Sequence, residues 1–153
     1  MNKILAILCL TILAAQGAPE LSLSVTPEKL NLTPQEMQGA ELVFSPGDTL
    51  RYIITAMNVG DGLMTEPVIV DPLPDGVHYV ADSATDDNAS VTFSIDDGAN
   101  FQAWPPLKLD KDEEGNIIEI PAAADEVTHI RWEIHLELEP GDLQEYEFKA
   151  IIR

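Results

Sequence analysis

The sequence predicts an all-β chain folded as an antiparallel β-sandwich, and three observations carry that expectation. Apolar and polar residues alternate over short segments, clusters of Pro, Gly, Asn and Asp separate those segments, and no segment shows a convincing helical period. Eight or nine short strands in one domain's length suggest two sheets packed face to face. With 153 residues, 45% hydrophobic and 23% charged, the chain can bury a core without metal or disulfide support.

The N-terminus reads differently from the rest. Met1 to Lys3 is a short positive region, Ile4 to Leu13 is an apolar run containing Cys9, and Ala15 and Gly17 supply small residues at a cleavage site. Residues 1–17 are therefore expected to be a secretory signal peptide, too short in its apolar part to span a bilayer. Cys9 lies inside that apolar run and is the chain's one Cys, so no disulfide is expected in the mature protein. Residues 18–41 follow as a lead-in with a first strand at Leu21 to Val25, and residues 42–153 form the sandwich.

The first long strand is Thr49 to Asn58, with Leu50, Tyr52, Ile54 and Ala56 on one face. Glu41 to Phe44, Pro67 to Val70, Val77 to Ala81, Ser90 to Ile95 and Ile117 to Ile120 are shorter candidates. Alternation is strictest from His129 to Leu138, where Ile130, Trp132, Ile134, Leu136 and Leu138 point one way. Gln144 to Ile152 repeats it, with Tyr146, Phe148, Ala150 and Ile152 inward. The connections include Ser45-Pro46-Gly47-Asp48, Leu73-Pro74-Asp75-Gly76, Asp96-Asp97-Gly98 and Glu139-Pro140-Gly141-Asp142, which turn through fixed or positive φ.

The segment Pro46 to Thr85 resembles the opening of the bacterial secreted repeat classed as domain of unknown function 11. The likeness rests on Pro46-Gly47-Asp48, Tyr52, Asn58 with Gly60-Asp61, Asp71 with Leu73-Pro74 and Gly76, and Tyr79-Val80, in that order. Ser90 to Phe101 and the hairpin THIRWEI with LEPGDLQEYEFKAII extend it over about Leu42 to Arg153. The resemblance implies an immunoglobulin-like sandwich without enzymatic activity, usually strung in tandem in surface or envelope proteins. One copy is present here.

Charge sets the excluded partners. With 27 Asp+Glu against 8 Lys+Arg, a formal net charge of -19, neither nucleic acid nor an anionic membrane is an expected ligand. The chain has no Gly-x-Ser-x-Gly, phosphate-cradling Gly loop, His-Glu-x-x-His or Cys pair, so no enzyme is expected. His129 and His135 share a strand face about 20 Å apart at roughly 3.3 Å per residue, too far to hold one metal.

Asp110, Asp112 and Glu114, followed by Gly115, fit the early positions of a calcium loop, but Pro121 stands where the bidentate Glu belongs. They are retained as candidate contacts for a divalent cation, with a plain acidic hairpin turn as the simpler reading; no cofactor is otherwise expected. Trp104, in the loop-like Phe101 to Pro106, is the candidate ligand contact, where an exposed indole would stack on a sugar or a Pro-rich segment and a buried one would pack under the loop. An isopeptide cross-link would need a buried Lys, and Lys149 has outward parity. The expected function is a noncatalytic exported module, structural or adhesive, with envelope or surface proteins as partners. The alternative is a carbohydrate- or calcium-dependent binding module.

Overall fold

The computed structural model describes residues 17–153, and the expected signal peptide lies outside the described residues except for Gly17. Nine strands occur among them: β1 (Leu21–Lys29), β2 (Thr49–Asn58), β3 (Val68–Pro72), β4 (Val77–Tyr79), β5 (Ala89–Ser94), β6 (Leu107–Lys111), β7 (Ile117–Pro121), β8 (His129–Ile134) and β9 (Leu143–Ile152). One sheet has the order β1-β2-β9-β4, a second β3-β8-β5, and β6-β7 forms a separate hairpin. Every pairing is antiparallel.

Period-2 patterning puts the core where the two main sheets face each other. Leu50, Tyr52, Ile54 and Ala56 of β2 and Tyr146, Phe148 and Ala150 of β9 are buried against Ile69 of β3, Phe93 of β5 and Ile130, Trp132 and Ile134 of β8. Register aligns Tyr52 with Phe148, and their rings stack 5.0 Å apart. The chain is an antiparallel β-sandwich, as its alternation predicts.

Turn chemistry fixes the registers. In both Pro-Gly-Asp turns the Asp carboxylate accepts the N–H three residues back, Ser45 for Asp48 and Glu139 for Asp142, each at 2.9 Å. Gly47 and Gly141 take φ of 91° and 90°, the left-handed geometry that such a turn requires after Pro. Asn58, fully buried, donates to Leu138 O (2.9 Å) and Gly62 O (2.8 Å) and accepts from Glu20 N and Gly60 N. It thereby ties the end of β2 to both the lead-in and the opposite loop. Gly60 lies so close to residues 18–20 that a Cβ there would sit 2.3 Å from Ala18 O.

Several expectations need correction. Glu41 to Phe44 is not a strand, and a short helix precedes it, α1 (Pro34–Met37). Four residues are too few to show a helical period, but Thr33-Pro34-Gln35-Glu36 is a capping box with Pro at the helix start. β1 runs on to Lys29, and β6 was not expected at all. β8 stops at Ile134, yet Leu138 stays buried through a separate two-way pairing with Met64.

Candidate functional site

The loop between β1 and β2 is organised by a buried cluster of charges. Lys29 has the inward parity of β1 at its last position, and its Nζ lies 3.0 Å from Glu36 Oε1 and 3.0 Å from Asp48 Oδ2. All three side chains are nearly excluded from solvent. Glu36 accepts from the N–H of Thr33 (2.7 Å) and of Val43 (2.9 Å), while Lys29 Nζ donates to Val43 O at 2.6 Å. Backbone N–H bonds from Thr33 and Val43, with the Lys29 ammonium, hold the Glu36 carboxyl down to about 2. The Ser45 N–H and Lys29 hold Asp48 below the usual range, and hydrogen bonding to Glu36 raises Lys29 against the opposing effect of burial. Each group is thus fixed in its charged form. Through these ion pairs and backbone hydrogen bonds the cluster clamps the loop to the end of β1. Lys149, by contrast, is exposed on β9, as its parity requires.

The clamp presents an apolar surface. Both backbone groups of Val43 are held by buried charges, which fixes residues 41–44 without sheet pairing. Met37 is 66% exposed and Val43 63%, and Leu42 and Phe44 are exposed beside them. Four large apolar side chains in eight residues of ordered loop are more than scattered surface hydrophobics. No sheet covers Glu41 to Phe44, so the consecutive apolar residues Leu42, Val43 and Phe44 stay exposed.

Trp104 lies at a second concave site. Its ring is half-buried, edge-on to Tyr79 (5.4 Å between centroids) and Phe93 (5.3 Å). These rings floor one side of an open groove of about 590 Å³, whose rim includes Asp82, Asp86 and Ser90. Packing accounts for one face of the indole, while its other side borders the groove.

The acidic hairpin is built as a turn. Asp112 accepts from Asn116 N (2.8 Å) and Asn116 Nδ2 (3.0 Å), and these bonds hold its carboxyl below the usual range. Asp110 lies within β6 and accepts from Lys111 N, and Glu114 is exposed in the turn. Asp110, Asp112 and Glu114 are not drawn together: among the described residues no group of three or more His, Cys, Asp or Glu is arranged to hold a metal. His129 bonds Thr128 Oγ1 (3.1 Å) and His135 bonds Ser90 Oγ (2.8 Å), each serving its own neighbour. Among the described residues no helix is long and apolar enough to cross a membrane.

Compared with family models, curated proteins and solved structures, the chain gives no match in any of the three.

Proposed function

We propose that this chain is a noncatalytic exported interaction module of immunoglobulin-like type, acting on envelope or surface proteins outside the cytoplasm. The observation that carries the reading is the clamped loop, where Met37, Leu42, Val43 and Phe44 stand exposed on a backbone fixed by Lys29 and Glu36. A preorganised apolar surface loses little conformational freedom on binding, which is what a recognition loop needs. The ordered motifs from Pro46 to Val80, which resemble domain of unknown function 11, support export and the immunoglobulin-like form.

The test places a photo-reactive phenylalanine analogue at position 44 in a native-like bacterial host, with position 149 on the sheet face as control. A discrete adduct to an envelope protein from position 44 alone is expected, together with a mature chain beginning at Ala18 by mass spectrometry. Equal adducts from both positions, or an intact Met1 in the cytoplasm, would count against the reading.

A second reading rests on the aromatic groove. The half-buried Trp104, packed on the buried Tyr79 and Phe93, lines the groove with Asp82 and Asp86, a ring and carboxylates of the kind that bind sugars. Titration with a glycan panel, with and without calcium, separates the two, since this reading requires saturable heat that Trp104→Ala abolishes.

A further inference from the structure

The second sheet ends at β5, with the beginning of a further strand beside it. Ser90 faces Glu133 and Thr92 faces Arg131, and the bond from His135 N to Asn88 O sets the even-numbered residues of this segment to pair with β8. The odd-numbered residues of β5 therefore direct their N–H and C=O groups away from the sheet. Phe93 is satisfied there by a two-way bond with Gln102, at 2.8 and 2.9 Å, and Ala89 N by Asp86 O at 3.1 Å. Continued past Gln102, the same antiparallel register would set Trp104 opposite Val91. The chain instead leaves the sheet at Ala103, and the Trp104 ring packs on Tyr79 and Phe93.

Val91 stands at the gap this leaves. Among the described residues its N–H and C=O, and the C=O of Ala89, have no hydrogen-bond partner, and all three point to the place the strand vacates. That place is the open groove of about 590 Å³: Ala89, Val91, Ala103, Trp104, Asp82 and Asp86 all line it. Its lining holds two exposed carboxylates and no Lys or Arg. An N–H and a C=O side by side on one residue of an open strand match the main chain of a second extended segment.

We infer that the groove takes an extended basic peptide segment, added as an antiparallel strand beside β5 and in line with Gln102. The residue facing Val91 exchanges both main-chain bonds with it, and the residue facing Ala89 donates its N–H to Ala89 O. Side chains at these two positions share the face of Ala89 and Val91, which is the face packed toward the core, so they are apolar and lie beside Trp104. Charge selects the rest of the occupant. Asp82 and Asp86 favour Lys or Arg at the intervening positions and repel an acidic segment. A second copy of this chain, with 27 Asp+Glu against 8 Lys+Arg, is disfavoured on the same ground. The site gives the proposed interaction module a second contact on a different element from the clamped loop, and it stands or falls apart from that loop. It claims the groove of the sugar reading, and one experiment separates the two.

The isotope-labelled chain is titrated with the end-capped peptide Lys-Val-Lys-Val-Lys at physiological salt and followed by nuclear magnetic resonance. Saturable shifts centred on the Val91 amide and the Trp104 indole N–H are expected. N-methylation of both valines keeps the charge but removes the donors to Val91 O and Ala89 O, and should weaken binding at least about tenfold. Glu-Val-Glu-Val-Glu should leave both signals unmoved. The double variant Asp82→Asn/Asp86→Asn should weaken the Lys peptide several-fold; if it does not fold, the methylated peptide decides. The proposal is overturned if the Lys peptide does not bind, if the methylated or Glu peptide binds as well, or if the shifts spread over the acidic surface without centring on Val91. A glycan panel that saturates the Trp104 signal while the Lys peptide leaves it unmoved overturns it in favour of the sugar reading.

Discussion

At the scale of single residues, Trp132 and Tyr146 make a useful pair. Trp132 is fully buried between Tyr146 and Phe148, and its indole N–H donates to Thr85 O at 2.9 Å. Trp132→Ala removes both packing and that bond, and a loss of about 3–5 kcal/mol in chemical denaturation is expected; a loss under about 1 kcal/mol would contradict its central place. Tyr146 is as deeply buried, yet among the described residues its hydroxyl has no hydrogen-bond partner. Tyr146→Phe discards a buried polar atom that makes no hydrogen bond to the described residues, so stability should stay within about 1 kcal/mol or rise. A larger loss would show that the hydroxyl is satisfied in solution. The inward residues of β2, β8 and β9 were legible because parity decides burial on a strand that has neighbours on both sides and a second sheet over it. Lys29 was not, because its burial depends on Glu36 and Asp48, which approach it only once α1 and the Pro-Gly-Asp turn have formed. Trp104 was half legible: its place off the alternation marked a loop, but its contact with Tyr79 and Phe93 is long-range.

Among elements, the sequence reading succeeded where strands are central and failed where side-chain bonds replace sheet pairing. β2, β8 and β9 each have a buried face with neighbours on both sides, so the alternation is strong. Alternation reports burial rather than pairing, which is why Leu138 looked like part of β8. The stretch from Leu30 to Phe44 holds its shape through α1 and its cap, and there the apolar residues face outward. β6 was hidden because a two-stranded hairpin outside the main sheets buries little: Leu107, Leu109, Ile117 and Ile118 remain exposed. The clamp yields a prediction at this scale. Glu36→Gln keeps the size of the side chain but removes the charge facing Lys29, so the loop should open while the core stays intact. Limited proteolysis should cut within residues 38–44 several-fold faster than in the wild type, with little change in the fluorescence of Trp104 and Trp132. Unaltered cleavage would show that the backbone bonds hold the loop without the ion pair.

For the molecule as a whole, charge decides how stability responds to its medium. Twenty-seven acidic side chains face 8 Lys+Arg, and among the described residues the ion pairs involve only Lys29, Arg51, Lys108 and Arg131. The three partly exposed cations Arg51, Lys108 and Arg131 gain little from their solvent-screened pairs, so net self-repulsion dominates, and the melting temperature should rise as monovalent salt increases to physiological strength. Acid produces two opposing effects. Partial protonation of unpaired carboxylates relieves repulsion, and Asp71, whose carboxyl burial pushes up, adds stability in the same direction as pH falls. Glu36 and Asp96 act oppositely. Glu36 is held down to about 2 mainly by the Thr33 and Val43 N–H groups, and Asp96 to about 2 by Asn100 and Ser94. Asp48, Asp112 and Glu126 are also lowered by their hydrogen bonds. A carboxyl whose folded pKa lies below its unfolded value stabilises the fold fully above the unfolded value, about 4, and loses that contribution as pH falls toward the folded one. The melting temperature should therefore climb gently from pH 7 to about 5, then fall below about 4 and continue falling toward 2. Circular dichroism melts across pH 2 to 8 would show this dome. In Glu36→Gln the acid limb should be shallower, because one of the groups that loses its bonds there is gone. A steady decline from pH 7 to 5 would mean that attraction outweighs repulsion at neutral pH, and a flat profile below 4 would mean that the clamp and turn carboxylates do not hold the fold.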